Sequence, residues 1–109
     1  MHHKHQLTAT IADEGTESGA VDMSGQTMLA ILVPTLDSAT LEIEGSFDGT
    51  NFYDVKDTGG NQVGLWPASV GGFILDGDAV ARFVGIPFIR FKTGAAQTNG
   101  PRVFKIAVM

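Results

Sequence analysis

The chain has 109 residues, of which 43% are hydrophobic, and this length suits one domain with its own core rather than two. Its net charge of −5 and its seven scattered basic residues argue against a nucleic-acid partner, because neutralising phosphates requires clustered Lys and Arg. The absence of cysteine excludes disulfides, thiolate metal sites and cysteine nucleophiles.

No stretch of the sequence has the ~18–20 apolar residues of a membrane span. The longest apolar run covers residues 28–33, which is the length of a strand. The N-terminus leads into polar alternation rather than the apolar segment of a signal peptide. We therefore expect synthesis in the cytoplasm and no membrane partner.

The first predicted strand covers residues 6–12, where apolar and polar side chains alternate. Leu7, Ala9 and Ile11 share one face of it. Residues 13–19 are acidic and rich in Gly, Ser and Thr, which predicts a loop after this strand.

Residues 27–33 form an almost continuous apolar run. This pattern predicts a strand that is covered on both faces and ended by Pro34. A helix is the alternative for a short apolar run, but the distance between Gly25 and Pro34 is short for one.

Residues 41–53 predict a strand, a tight turn and the start of a partner strand. The alternation divides the strand into a buried face and a wet face, with Leu41, Ile43 and Phe47 on the first and Glu42, Glu44 and Ser46 on the second. Asp48 and Gly49 supply the turn, since Gly readily adopts the positive φ that such a hairpin needs. The second arm is expected over residues 51–57, so the sheet is antiparallel.

The second half of the chain continues with short segments between turns. Residues 62–69 are ambiguous, and Pro67 confines any strand there to a sheet edge. Strands are predicted over residues 73–75 and over residues 102–109. Residues 80–84 and 86–93 are predicted to form either one bent strand or two separate strands. Within residues 86–93, Ile89 and Phe91 suit the core, and Arg90 is expected to be held in a structural network.

About eight short strands separated by turns, without a convincing helical period, predict an all-β fold. We expect an antiparallel β-sandwich, in its jelly-roll version with Greek-key connections. Residues 7–109 would form this single domain, and residues 1–6 an N-terminal segment that is flexible or ordered by a partner.

The only histidines are His2, His3 and His5. Imidazole groups can bind zinc, nickel or copper, but closely spaced histidines at a terminus lack the surrounding groups that a closed metal site needs. We therefore predict no metal there and interpret the segment as mobile or ordered by a partner. A Ser–His–Asp triad is also excluded, because the body of the chain has no histidine.

The twelve carboxylates could in principle supply the acid and base of a glycoside hydrolase. Most of them lie in predicted turns, where Asp accepts hydrogen bonds from the chain's own amides. Asp76-Gly77-Asp78 resembles an oxygen-rich calcium loop, but it lacks the spaced acidic ligands of an EF-hand. The sequence thus predicts no catalytic residue, no cofactor and no enzyme.

Trp66 and Tyr53 are the candidate binding aromatics. Together they could form a sugar-stacking platform, and Trp66 beside Pro67 could instead anchor a protein partner. The remaining interpretation is that Trp66 fills the core beneath a loop.

Two motifs together resemble a known family. Residues 46–55 (SFDGTNFYDV) look like the strand, S-x-DG-x-NF, strand hairpin of small virion proteins of tailed bacteriophages. Residues 88–94 (FIRFKTG), followed by a hydrophobic strand over residues 101–109, look like the usual ending of these proteins. A similar hairpin occurs in discoidin-like and carbohydrate-binding jelly rolls, but this chain is shorter and has neither a cysteine pair nor a clear aromatic triad.

The resemblance implies a head decoration (cement) protein on the outside of a virion capsid, where it would strengthen contacts between major capsid subunits. Its partners would be the major capsid protein and further copies of itself, as a dimer or trimer. The candidate partner contacts are His2, His3, Lys4, His5, Trp66 and Pro67. The alternatives are a carbohydrate- or receptor-binding module and a head–tail or tail structural component.

Overall fold

The computed structural model describes residues 6–37, 40–67 and 71–109, which form two antiparallel sheets packed as a sandwich. The strands are β1 (Gln6–Ile11), β2 (Val21–Asp22), β3 (Met28–Val33), β4 (Thr40–Ser46), β5 (Tyr53–Asp54), β6 (Leu65–Pro67), β7 (Phe73–Leu75), β8 (Phe88–Thr93) and β9 (Arg102–Val108). One helix, α1 (Gly77–Val80), continues into a 3₁₀ turn over Ala81–Phe83. The four-stranded sheet has the order β1-β9-β3-β7, and the five-stranded sheet has the order β2-β8-β4-β5, with β6 also paired to β4.

The strand pairing identifies the fold. β1 pairs with β9, β2 with β8, β3 with β7, and β4 with β6, all antiparallel. The chain is thus one long hairpin folded over into two sheets, which is the jelly-roll topology. The predicted all-β sandwich is confirmed, and the short strand β5, which also pairs with β4, brings the described strands to nine.

Alternation along the strands places the core between the two sheets. Ala9 and Ile11 of β1 point inward and are buried, as are Phe104 and Ile106 of β9. The ring of Phe104 stacks on the ring of Phe91 from β8, with centroids 4.2 Å apart and 7° between the planes. This contact joins the two sheets, and such an aromatic pair adds about 0.5–1.5 kcal/mol beyond the area it buries.

The predicted hairpin after β4 is wrong in three respects. Phe47 was expected in the core, but β4 ends at Ser46 and the Phe47 side chain is 82% exposed. Glu44 and Ser46, expected on a wet face, are both buried. The Glu44 carboxylate accepts a hydrogen bond from Arg90, and the Ser46 hydroxyl donates one to Asp48. These partners explain the burial, since a buried carboxylate or hydroxyl is tolerated where it is hydrogen-bonded. The turn also spans residues 47–52 rather than two residues, because β5 begins only at Tyr53.

Strand β3 is covered on one face only, contrary to the prediction. Its register shifts between Met28 and Ala30, and this irregularity leaves Leu29 exposed. Leu32, which faces away from the core, is exposed as well. An apolar run alone does not reveal whether anything covers its second face.

The segment over residues 80–84 is helical rather than extended. The Asp76 carboxylate caps α1 by accepting a hydrogen bond from the Ala79 amide at 3.1 Å. With four residues, α1 is too short to show a helical period in the sequence. The two-residue strand β2 was also missed, since it lies beyond the loop predicted over residues 13–19, where no strand was predicted.

The two chain ends of the fold lie side by side, since Gln6 of β1 pairs with Ala107 of β9. The predicted N-terminal segment, residues 1–6, overlaps β1 at Gln6, and its residues 1–5 lie outside the described residues. Over the described ranges, no helix has the length and apolar character required to cross a membrane.

Candidate interaction surfaces

The outer face of the four-stranded sheet is the first candidate surface. Cross-strand pairing aligns Thr8, Lys105, Leu32 and Ile74 in one row across all four strands. The outward positions, named here the acid-free face, are Gln6, Thr8, Thr10, Ala30, Leu32, Ile74, Val103, Lys105 and Ala107. The side chains of Leu32, Ile74 and Val103 are exposed, and the face contains a shallow depression of about 200 Å³.

The charge of this face differs from that of the whole chain. The chain has twelve Asp and Glu residues, yet none of them occupies an outward position in the described part of this sheet. Lys105 is the charged side chain there. A face that exposes aliphatic side chains and lacks carboxylates shares one feature of interface cores, the depletion of acidic residues.

The second candidate surface is the aromatic turn, residues 46–53, at the end of β4. The Ser46 hydroxyl accepts hydrogen bonds from the Asp48 and Gly49 amides at 3.2 and 2.9 Å, and donates to the Asp48 carboxylate at 3.0 Å. That carboxylate also accepts from the Thr50 and Asn51 amides and from the Asn51 side chain at 2.8–2.9 Å. These amide and side-chain hydrogen bonds lower the pKa of Asp48, so the carboxylate stays ionised at neutral pH.

This rigid turn presents aromatic side chains to solvent. Phe47 is 82% exposed and Tyr53 is 69% exposed. Gly49 has a φ of +79° and packs against the Phe88 ring, where an added Cβ would lie 3.3 Å from the ring carbons. The predicted requirement for Gly at this turn is therefore confirmed by its positive φ.

An apolar hollow of about 220 Å³ opens beside the aromatic turn. Phe47 and Tyr53 form one part of its wall, and Gly45, Val55 and Ile86 form the rest of its apolar lining. Because Gly45 has no side chain, the hollow reaches the β4 backbone, and a Cβ there would lie 2.9 Å from Ile86.

Arg90 connects the aromatic turn to the sheet. Its Nε donates to Glu44 Oε1 at 2.7 Å, and its Nη2 lies 3.5 Å from a Glu17 carboxylate oxygen. The guanidinium also lies over the Phe52 ring, 4.5 Å from the centroid, in a cation–π contact. The expectation that Arg90 is held in a structural network is confirmed.

Three carboxylates meet on the five-stranded sheet near this network. The oxygens of Glu42, Glu44 and Asp54 lie within 4.8 Å of one another. Burial, together with hydrogen bonding to Asp54, raises the pKa of Glu42, while Gln62 Nε2 donates to Glu42 Oε1 at 2.8 Å. Such a set of oxygens is suited to a hard cation. The buried member, Glu44, is neutralised by Arg90.

Among the described residues, the two predicted binding aromatics, Trp66 and Tyr53, do not come together. Trp66 is partly buried against the core, while the neighbouring Pro67 is exposed on the edge strand β6. Edge placement of Pro67 was predicted and is confirmed. Trp66 pairs with Leu41 and Tyr53 pairs with Gly45, so the two aromatics are offset by four residues, or roughly 13 Å, along β4. His2, His3, Lys4 and His5 lie outside the described residues.

The similarity of this chain to known proteins is a similarity of fold. No protein-family model matches the sequence, and no curated protein matches it either. The structure of the SPBc2 prophage-derived protein YomS matches with a TM-score of 0.52 and 9% identity, covering 100% of this chain and 99% of that one. This likeness shows a shared fold. A structure described as "CpGH89CBM32-6 produced by Clostridium perfringens" overlaps with a TM-score of 0.42 and 15% identity, over 95% and 94% of the two chains.

The sequence pattern alone could have indicated one of the two surfaces, the acid-free face. In β9, Val103, Lys105 and Ala107 alternate with the core residues, and together with Leu32 they already outline an apolar outer face without acids. The exposure of Phe47 had no such signal, because its parity in the sequence matches that of the core residues Leu41 and Ile43.

Proposed function

We propose that this protein is a virion structural protein, a decoration (cement) protein that binds the outside of a phage capsid and stabilises contacts between major capsid subunits. The observation that carries the proposal is the acid-free face. An acidic chain that keeps one sheet face apolar and without carboxylates has a surface suited to burial against another protein.

The fold also supports the proposal of a phage virion protein. YomS is described as prophage-derived, and its structure has the fold of this chain. The resemblance of residues 46–55 and 88–94 to small virion proteins of tailed phages comes from separate positions in the sequence. We propose accordingly that the protein is located on the capsid exterior and that it is not an enzyme.

The size of the acid-free face determines how the protein would act. Four strands about 4.8 Å apart, three of them six or seven residues long and β7 three residues long, give a face of roughly 350 Å². This is about half of the ~800 Å² that each partner contributes to a standard stable interface. A single face would therefore bind weakly, and stable attachment would require several contacts on the repeated capsid lattice.

Stabilisation would follow from mass action. A protein that binds the assembled lattice but not free subunits makes disassembly less favourable by its binding free energy, which amounts to ~2.7 kcal/mol per site at a concentration 100 times the dissociation constant. No chemical step is needed for this activity.

The test is binding to shells of the phage that encodes the chain, measured by co-sedimentation and by the melting temperature of the shell. Wild-type protein should occupy regular lattice positions in electron micrographs and raise the melting temperature. Leu32→Asp should reduce binding at least tenfold, because it places a carboxylate in the centre of the acid-free face.

Leu65→Asp is the matched control. Leu65 is 47% exposed on the five-stranded sheet and Leu32 is 44% exposed on the four-stranded sheet, so the two changes have equal chemistry and similar exposure. Equal binding of both variants would contradict the assignment of the face. Copies found only at a tail or at a single vertex would favour a tail component, and binding to glycans with no binding to shells would favour a carbohydrate-binding module.

A further inference from the structure

The aromatic turn and the hollow lie side by side, and the proposal above uses neither. Phe47 projects from the turn with 82% of its surface exposed, and it also borders the hollow. A protruding aromatic ring beside an apolar hollow is a self-complementary pair of features. A two-fold axis can place each ring in the hollow of the other copy, since an isologous contact joins the same patch on both subunits.

The dimensions agree with this arrangement. An apolar cavity of ~150 Å³ is large enough to bind benzene. The hollow has a volume of about 220 Å³, and Gly45, Val55 and Ile86 give it an apolar lining. One phenyl ring therefore fits, and the hollow offers the aliphatic contacts that an aromatic side chain needs.

The turn is also built to hold Phe47 in place. Asp48 and Ser46 together take part in six hydrogen bonds within residues 46–51. The Arg90 guanidinium holds Phe52, the residue before Tyr53, by stacking on its ring. An aromatic anchor on a backbone that is already fixed loses less conformational entropy on binding than one on a flexible loop, because the backbone need not be ordered.

We propose that this surface is a self-association site, at which two copies of the chain form a two-fold dimer by inserting Phe47 into each other's hollow. Only the role of the dimer in capsid binding rests on the proposed function. In that role the dimer would present two acid-free faces and so supply the multiple attachment that one small face needs. The dimer itself does not depend on a capsid.

The charges around the site define how the dimer responds to salt. Asp48 follows Phe47 in the chain, and Asp54 lies at the hollow, so a two-fold contact brings carboxylates of the two copies towards each other. Salt screens this repulsion. The dissociation constant is therefore expected to fall about threefold or more between 20 mM and 500 mM NaCl, a direction opposite to that of an interface held by ion pairs.

The first experiment measures the oligomeric state by sedimentation equilibrium from about 10 µM to 1 mM, since an interface of this size is in the weak class. Wild-type protein should shift from monomer to dimer over this range. Phe47→Ser should remain monomeric with an unchanged melting temperature, because an exposed side chain contributes little to the fold. Thr50→Ser, in the same turn, should dimerise as the wild type does.

The second experiment uses the absence of cysteine in the chain. A mixture of Phe47→Cys and Tyr53→Cys variants should form a disulfide-linked heterodimer on mild oxidation, because Tyr53 borders the hollow that receives residue 47. A mixture of Phe47→Cys and Thr8→Cys, with Thr8 on the other sheet, should not. A wild-type protein that stays monomeric at 1 mM, or a Phe47→Ser variant that dimerises normally, would overturn the proposal.

The two proposals fail separately. Leu32→Asp should lose shell binding and keep the dimer, whereas Phe47→Ser should lose the dimer. If wild-type protein were monomeric and Phe47→Ser nevertheless lost shell binding, the hollow would be a capsid contact rather than a self-association site. If the dimer formed and no variant affected shells, the proposed function would fail and the dimer would stand.

Discussion

The pair formed by Arg90 and Glu44 allows a quantitative test of how the five-stranded sheet is stabilised. The Glu44 side chain is 8% exposed and that of Arg90 is 22% exposed, with 2.7 Å between Arg90 Nε and Glu44 Oε1. Replacing Arg90 with Met removes the positive charge and retains an apolar stem next to Phe52, since thioethers pack well on aromatic rings. Glu44 is then left buried without its counter-ion.

Loss of one partner from a buried ion pair costs about 3–5 kcal/mol in the free energy of unfolding. Arg90 lies on the outer side of the sheet and is partly exposed, so we expect the lower end, about 3 kcal/mol. For a chain of this length the loss corresponds to a decrease of roughly 12 °C in melting temperature. Glu44→Met should cost less, about 1 kcal/mol, because Arg90 keeps Glu17 and reaches solvent.

The assay is urea unfolding followed by the fluorescence of Trp66, the single tryptophan of the chain. The double variant Arg90→Met/Glu44→Met should be within about 1 kcal/mol of the wild type, because a well-packed apolar pair can replace a buried ion pair. Equal dependence of unfolding on urea concentration is required in all four proteins. A cost below ~1 kcal/mol for Arg90→Met, or additive costs in the double variant, would refute the view that Glu44 depends on this counter-ion.

Two further predictions concern a glycine and two carboxyl groups. Gly64→Ala should destabilise the protein by about 1–3 kcal/mol in urea unfolding, because the added Cβ would lie 2.6 Å from the Ile43 carbonyl oxygen. The control Gly19→Ala should be near neutral, because no atom lies within 4 Å of its added Cβ. Equal effects of the two substitutions would contradict the steric argument. In thermal unfolding against pH, Asp48→Ala should cost most at neutral pH and progressively less as the pH falls below the ordinary pKa of 3.8, because the folded-state pKa of Asp48 is lowered. Glu42→Gln should have the opposite effect and raise the melting temperature, because the folded-state pKa of Glu42 is raised. This gain should be absent below the ordinary pKa of 4.5 and should grow as the pH rises above it. Parallel pH profiles of the two variants would contradict both pKa assignments.

Alternation was sufficient to predict those strands that have one buried face. In β1 and β9, Ala9, Ile11, Phe104 and Ile106 lie inward as the sequence pattern indicates. The all-β sandwich class also followed from short strands separated by turns, whereas the strand order became visible only in the structure. These features depend on the two-residue period of a strand, which the sequence displays directly.

The errors occurred where a side chain's partner comes from a distant part of the chain. Glu44 is buried because Arg90, in β8, neutralises it, and the local sequence of β4 contains no sign of this. Phe47 continues the parity of the core residues but follows the end of β4, and the Ser46 and Asp48 hydrogen bonds turn the chain away. Contact of Trp66 and Pro67 with a partner stays a prediction, and as adjacent residues on an edge strand they face opposite sides.

The wrapped arrangement of the strands has a consequence for synthesis. Because β1 pairs with β9 and β2 pairs with β8, these two early strands find their neighbours only after the intervening strands have been made. Local pairing is available to β4 with β5, but domains with many distant pairings fold in milliseconds to seconds rather than microseconds. The growing polypeptide must therefore remain without its final sheets until β8 and β9 have been made, and Leu7, Ile11 and the strand Met28–Val33 stay exposed for that time. We expect the nascent chain to depend on chaperones at this stage, before any copy is available for assembly.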